Sequence, residues 1–195
     1  MSDYDVLVVG AGNAALAAAV SAREQGAARV AALEKAPRTL RGGNTHYSGG
    51  LLRIAFDRPE DLRALVTDAE REVPGFYAGV EPYPARLFMA DLLRVTDGRT
   101  DPELAELLIG RSYDTACWMA RQGIEMEPAV SLSAVKVGDT FKWSPGAVIR
   151  ARHEGVGLSA MWFRAAEREG VEIRYDTAVV RLAQDRRGRV TGVVT

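Results

Sequence analysis

The chain has 195 residues, of which 47% are hydrophobic and 26% charged, with a formal net charge of −1. That length supports one domain with a real core and room for a small second lobe, and the composition is that of a soluble globular protein. A near-neutral chain has no basic field to attract a phosphate backbone, which argues against nucleic acid as a partner.

No stretch approaches the roughly eighteen consecutive apolar residues of a membrane span. No basic-then-apolar leader precedes the first strand, which begins almost at the N-terminus, so the expected compartment is the cytoplasm. The single cysteine, Cys117, stands in a helical stretch beside Trp118 and Met119. It cannot form an internal disulfide, and a buried structural thiol is expected rather than a reactive one.

Residues 5–10 read Asp-Val-Leu-Val-Val-Gly, a short apolar run expected to form a strand buried on both faces. Gly10 and Gly12 follow, with Ala15 where the dinucleotide fingerprint usually has its third glycine. Gly10 lets the chain turn out of the strand, Gly12 lets the backbone approach a pyrophosphate, and Ala15 lets the helix lie against the sheet. A helix over about 13–25 then aims its N–H groups and partial positive charge at the phosphates. A second strand at 29–33 ends in Glu34, placed to accept both ribose hydroxyls of an adenosine. Strand, turn, helix, strand and terminal acid in one unit point to a bound dinucleotide. The alternative is a glycine turn in an ordinary α/β protein.

Residues 42–50 hold four glycines, an asparagine and three hydroxyl-bearing side chains. Such a loop permits close backbone approach and offers hydrogen bonds of either polarity, as a flat ring with polar edges would need. Its alternative is a flexible surface loop. Residues 58–73 carry a helical stripe at Leu62, Leu65, Val66, Ala69 and Val73, with Pro59 in the first turn and Pro74-Gly75 as the stop. A shorter helix over 84–95 closes at Asp97-Gly98. Asp101-Pro102-Glu103 starts another, whose stripe of Leu104, Leu107, Leu108, Ala116 and Met119 runs toward Gly123.

Residues 124–152 mix β-prone pieces, Ala129-Val130 and 134–137, with turn signals at Gly138-Asp139 and Ser144-Pro145-Gly146. This reads as an irregular stretch bordering a pocket. Arg150, Arg152 and His153 could orient a carboxylate there or belong to a solvated loop. Residues 155–169 restore a helix with Leu158, Met161, Trp162, Ala165 and Ala166 on one face, ending at Gly170. A strand over 171–175 and a hairpin turning at Asp185–Gly188 complete the chain.

Four separated motifs resemble the flavoprotein subunits of fumarate reductases and succinate dehydrogenases. They are Val9-Gly-Ala-Gly-Asn-Ala-Ala-Leu, Leu33-Glu-Lys-Ala-Pro, Gly155-Val-Gly-Leu, and the stretch from Glu169 to Leu182. Within that family the Arg41-Gly-Gly-Asn-Thr-His loop is most similar to the FAD-dependent tricarballylate dehydrogenases. The resemblance implies an α/β, Rossmann-like FAD-binding domain of glutathione-reductase type: a parallel sheet with a helical insertion and a β-hairpin, incomplete in this chain. It divides the chain into a β-α-β unit with its flavin loop (1–57), a helical insertion (58–123) and the remainder of the FAD-binding domain (124–195).

By the same resemblance Gly10, Gly12, Asn13 and Ala14 contact the FAD diphosphate, and Glu34, followed by Lys35, holds the adenosine ribose. Gly42, Gly43, Asn44 and Thr45 run beside the phosphates and flavin. Ser48, Gly49 and Gly50 lie next to the isoalloxazine, and Val179 meets the adenine through its backbone. The succinate enzymes attach FAD covalently to a loop histidine; that position falls on Gly43, so the FAD is expected to be noncovalent. His46 is expected to line the flavin face.

The implied chemistry is oxidation of a di- or tricarboxylate such as tricarballylate, by hydride transfer to flavin N5 and loss of a neighbouring proton to a base. Arginine forks and histidines would clamp the substrate carboxylates. A membrane-bound iron–sulfur and haem protein is the implied electron acceptor. Family members continue with an Ala-Thr-Gly-Gly-type segment and a capping domain that carries the catalytic groups. None of this lies in residues 1–195, so the chain is expected to be the N-terminal portion of a longer flavoenzyme. No catalytic residue and no metal ligand is assigned. Two other readings stay open: a catalytically inert flavin- or nucleotide-binding module, and an NAD-linked dehydrogenase. Glu34 would suit NAD equally well, but the glycine-dense loop speaks against a nicotinamide.

Overall fold

The structure is a computed structural model and describes residues 3–195. Along the chain come β1 (Val6–Val9), α1 (Asn13–Glu24), β2 (Val30–Leu33), a 3-10 turn (Arg38–Leu40), α2 (Gly43–His46) and β3 (Leu51–Leu52). A second 3-10 turn (Pro59–Ala64) leads to α3 (Ala69–Glu72), α4 (Phe76–Gly79), α5 (Ala85–Val95) and α6 (Pro102–Arg121). Then follow β4 (Met126–Pro128), α7 (Val130–Ser133), β5 (Ala134–Val137), β6 (Thr140–Trp143) and β7 (Ile149–Ala151). The last elements are α8 (Glu154–Arg168), β8 (Glu172–Arg174), β9 (Arg181–Gln184) and β10 (Val190–Val194).

Two compact units emerge: residues 1–48 with 155–195, and residues 49–154. The sequence reading divides the chain at 57/58 and 123/124. The pairing of β3 with β7, antiparallel from Leu51 to Arg150, instead ties the end of the loop to the irregular stretch.

In the first unit β1, β2 and β8 form a parallel sheet in that order. Leu16, Ala19 and Val20 of α1, which packs on β1 and β2, are buried, as are Leu158, Met161, Trp162, Phe163, Ala165 and Ala166 of α8. All four residues of β2 are buried, so it has the double coverage typical of a parallel sheet. The expectation of such coverage for the first strand needs correcting. β1 has β2 as its neighbour and is half-buried, with Val9 56% exposed, because it stands at the sheet's edge. Strands β9 and β10 form the expected hairpin, with a register shift between Val190 and Gly192.

The second unit combines the three-stranded antiparallel sheet β3-β7-β4, the hairpin β5-β6 and the helices α3 to α7. The stripe of residues 58–73 is buried as expected, but not on one helix. The chain makes a 3-10 turn at Pro59–Ala64 and resumes as α3, while Leu62, Leu65, Val66, Ala69 and Val73 all face the core. A 3-10 turn also places residues i and i+3 on one side, so the same spacing serves both. Asp101 caps α6 by accepting the Leu104 N–H at 3.1 Å, with Pro102 in the first turn.

On α6 the stripe holds at Ala116 and Met119, which are buried, and needs correcting at its leucines. Leu104, Leu107 and Leu108 are 65%, 60% and 56% exposed, and the inward face is Ala105, Ile109, Ala116 and Met119. Small and β-branched side chains let the helix lie close; the leucines are turned to the surface. Cys117 is half-buried rather than buried, since its neighbours Ala116 and Met119 take the inward positions. In 124–152, residues 134–137 are a strand and Gly138-Asp139 its turn, whereas Val130 opens α7 instead of a strand.

Burial, reinforced by a hydrogen bond with Cys117, pushes the Tyr113 phenol up to about 12. Burial also raises Tyr77 and Tyr83, the latter aided by its hydrogen bond to Asp91. An unfolded phenol ionises near 10. The contribution of Tyr113 is therefore complete below about pH 10 and disappears as pH rises to about 12. An absorbance titration of phenolate is expected to show part of the tyrosines ionising late, with the thermal midpoint falling across that window. A single phenolate transition near pH 10 in the folded protein would contradict it.

Candidate functional site

Gly10 leaves β1 with φ of 100°, a conformation that L side chains rarely adopt, and donates its N–H to the Leu33 carbonyl at 2.8 Å. The turn therefore stays in register with β2. Ala11 is buried and donates its N–H to Glu34 Oε2 at 2.9 Å. Gly12 caps α1 without a side-chain oxygen, and the first turn of α1 carries no acidic residue. Within α1 itself no carboxylate meets its positive end; the nearest one bonded to this turn is Glu34, held on the Ala11 N–H. The Asn13 N–H donates to Thr45 Oγ1 at 2.9 Å, which leaves the threonine's own proton for another acceptor.

Glu34, at the end of β2, is 8% exposed. Its Oε1 accepts the Ala36 N–H at 2.8 Å while Oε2 holds Ala11, and neither oxygen forms an ion pair among the described residues. A carboxylate offers about four lone-pair positions, so two backbone donors fix its orientation and leave room for two hydroxyls. The Glu34 backbone joins β8: its N–H reaches the Arg174 carbonyl and its carbonyl accepts the Thr177 N–H at 2.9 Å. That bond brings the segment carrying Val179, half-buried, to the same sheet end as Glu34.

The glycine-dense loop is ordered by α8. The Arg41 guanidinium lies 4.0 Å from the Phe163 ring centroid, donates to Tyr175 Oη at 2.9 Å, and has Glu167 at 3.8 Å. Gly42 caps α2 in the left-handed conformation, and a Cβ there would collide with the Ser159 hydroxyl. Gly155 packs beneath the turn, where a Cβ would meet the carbonyls of Thr45 and Ser48. Trp162, buried on α8, donates its indole N–H to Asn13 Oδ1 at 2.6 Å. None of these four α8 contacts was legible in the motifs; the inward stripe gave Trp162 as a core residue and nothing about its partner.

The structure brings the first predicted group, Gly10, Gly12, Asn13 and Ala14, into one open cavity of about 530 Å³ with the second, Gly42, Gly43, Asn44 and Thr45. Lys35 is exposed beside Glu34. His46 is half-buried, with the exposed Tyr47 ring edge-on at 5.2 Å, and Ser48 Oγ donates to the Thr45 carbonyl at 2.9 Å. Gly49 and Gly50 belong to the second unit, where Gly49 faces Leu132 and Gly50 abuts the Glu154 backbone. A cavity of about 570 Å³ runs along β1 and the hairpin β9-β10. It contains no helix N-terminus, so the smaller cavity is the one suited to a diphosphate.

Arg150 and Arg152 are committed within the second unit. Arg150 bonds Glu127 at 2.8 Å and Glu154 at 2.7 Å; Arg152 bonds Glu72 at 2.6 Å, with Glu125 and Glu127 within 3.6 Å. The Glu72 hydrogen bond raises the Arg152 pKa against burial, and the three glutamate charges add to it. The two arginines are therefore neither solvated nor free cations waiting for a substrate, whereas His153 is exposed.

The family described as "FAD binding domain" matches residues 5–195. The fumarate reductase (cytochrome) of Shewanella frigidimarina is 24% identical over 190 residues, covering 97% of this chain and 29% of that protein. The 4-oxocyclohexanecarboxylate 2-dehydrogenase of Sinomonas cyclohexanicum is 31% identical, covering 99% of this chain and 40% of that protein. The open conformation of a flavocytochrome c3 fumarate reductase superimposes with a TM-score of 0.72 at 24% identity, covering 97% of this chain and 29% of the other. The chain thus spans about 29% of the length of the fumarate reductase it matches.

Proposed function

Since the chain belongs to the FAD binding domain family of fumarate reductase and succinate dehydrogenase flavoproteins, we propose that it supplies the FAD site of an oxidoreductase acting on a carboxylate. The observation that carries the reading is the cavity lined by the start of α1 and the 42–45 turn, which Thr45 ties to Asn13, with Glu34 at the end of β2 hydrogen-bonded to the same glycine turn through Ala11. Its donor set fits an adenine dinucleotide. Ala14 and Gly12 offer backbone to the diphosphate, Thr45 a hydroxyl, and Glu34 two pre-oriented oxygens to the ribose.

When bound, FAD supplies the two-electron chemistry at its ring. The residues of this chain bind and orient. They contribute no side chain with a catalytic assignment, and Gly43 offers no nucleophile for attachment, so the FAD is held noncovalently. The relatives named for fumarate, a dicarboxylate, and for 4-oxocyclohexanecarboxylate, a monocarboxylate, support a carboxylate substrate; a di- or tricarboxylate such as tricarballylate is the narrower proposal, resting on the resemblance of the 41–46 loop. A haem or iron–sulfur protein is the proposed electron partner, in keeping with the cytochrome in the name of the Shewanella relative.

The test is to titrate the full chain with FAD and with NAD, following quenching of flavin fluorescence, and then to denature it. FAD is expected to bind and ADP to displace it. After precipitation, the yellow absorbance near about 450 nm, as flavins give, is expected in the supernatant. A chain that takes NAD and ignores FAD would overturn the reading in favour of an NAD-linked enzyme.

A further inference from the structure

We propose that Trp162 is a positioning residue for the diphosphate site: its indole N–H fixes the Asn13 amide so that the NH2 group, not the carbonyl oxygen, faces the diphosphate. This rests on the FAD reading above. The two ends of an asparagine amide are nearly equal in shape, and hydrogen-bond partners decide which way it points. An indole N–H can only donate. Trp162 has no solvent exposure and cannot turn to water, and its Nε1 lies 2.6 Å from Asn13 Oδ1. The oxygen of Asn13 is thereby committed to α8. Flipping the amide would set two donors against each other in the core.

The orientation matters because of a second bond. Asn13 is the first residue of α1, where the backbone N–H groups serve a bound phosphate. Its own backbone N–H is already given to Thr45 Oγ1 at 2.9 Å. The side-chain NH2 replaces that lost donor. Phosphate oxygens only accept, so an outward carbonyl oxygen would repel them where an outward NH2 binds them. Trp162 and Asn13 are 149 positions apart, which means the second chain segment of the unit sets the chemistry of the first.

The test compares FAD dissociation constants and ligand-free melting temperatures of the full chain and four variants: Asn13→Asp, Asn13→Ala, Trp162→Phe and the Asn13→Ala/Trp162→Phe double. The aspartate still accepts from Trp162 but puts an anion where the NH2 stood, so FAD is expected to bind about 100-fold more weakly with the melting temperature little changed. Trp162→Phe keeps a buried ring and is expected to weaken FAD about 10-fold. In the double variant the tryptophan change is expected to add nothing beyond Asn13→Ala, because its effect runs through that amide. Should Trp162→Phe fail to fold, NMR of the wild-type amides gives the same answer. FAD should shift the Asn13 NH2 resonances while the Trp162 indole proton stays protected from exchange. Aspartate binding FAD like wild type, unshifted NH2 resonances, or single effects that multiply in the double variant would each overturn the proposal. A wild-type chain that ignores FAD would instead strike the functional reading itself.

Discussion

Replacing Glu34 by glutamine is expected to weaken FAD binding by about 100-fold and to lower stability by about 2 kcal/mol. The substitution keeps the size of the side chain and removes its charge. In the native site Oε2 accepts from Ala11 and Oε1 from Ala36, at 2.9 and 2.8 Å, and the group is almost fully buried. Hydrogen bonds to a charged acceptor contribute about 1.5–3 kcal/mol each. A glutamine must turn its NH2 toward one of those N–H donors, so one bond is lost and a buried donor faces a donor. The oxygen that remains cannot accept from both ribose hydroxyls. Fluorescence titration with FAD and urea denaturation of the ligand-free protein measure the two parts separately. An unchanged FAD affinity would remove Glu34 from the ribose site even if stability fell.

Alanine at Gly155 is expected to destabilise the protein by about 2–3 kcal/mol, lowering the melting temperature by roughly 4–10 °C. Helix propensity alone argues the other way, since alanine is better than glycine inside a helix by about 1 kcal/mol. Sterics decide the sign. The added Cβ would sit 2.5 Å from the Ser48 carbonyl oxygen and 2.8 Å from the Ser48 nitrogen, and would also strike the Thr45 carbonyl. These are backbone atoms of a hydrogen-bonded turn, with the Gly155 N–H itself 2.9 Å from Ser48 O, and they cannot swing aside like a side-chain tip. Gly110, in α6 with no atom near its missing Cβ, is the control. Alanine there is expected to stabilise by about 1 kcal/mol. Thermal melts of the two variants giving the same sign would contradict the packing assigned to Gly155.

What could be read from the amino acids follows the range of the interactions. The β-α-β unit was legible because strand, glycine turn, helix and Glu34 are consecutive, and each step is a local backbone preference. The Asp101 cap, the Asp97-Gly98 stop and the hairpin at 185–188 were legible for the same reason. The direction of a helix's apolar stripe was not: α6 has one apolar face of leucines and another of Ala105, Ile109, Ala116 and Met119, and only the packing shows that the second points inward. The fate of Arg150 and Arg152 was hidden because their partners Glu72, Glu125 and Glu127 are carried on other elements. The same holds for the site. Its glycines announce themselves, while the bonds that orient them, Trp162 to Asn13 and Arg41 to Tyr175, join segments more than a hundred residues apart.

Because the nucleotide-binding unit is assembled from residues 1–48 and 155–195, the ribosome delivers its two halves at different times. At about 5–20 residues per second, synthesis of the intervening stretch takes on the order of 5–20 s. Throughout that interval β2 lacks β8, Glu34 lacks the Arg174 and Thr177 bonds, and the Asn13 amide lacks its tryptophan. A nascent chain of about 150 residues therefore already displays the complete glycine fingerprint without a finished site. Cofactor capture must therefore wait for α8 and β8, and a product that stops short of α8 lacks the bonds that Trp162, Arg174 and Thr177 give the site.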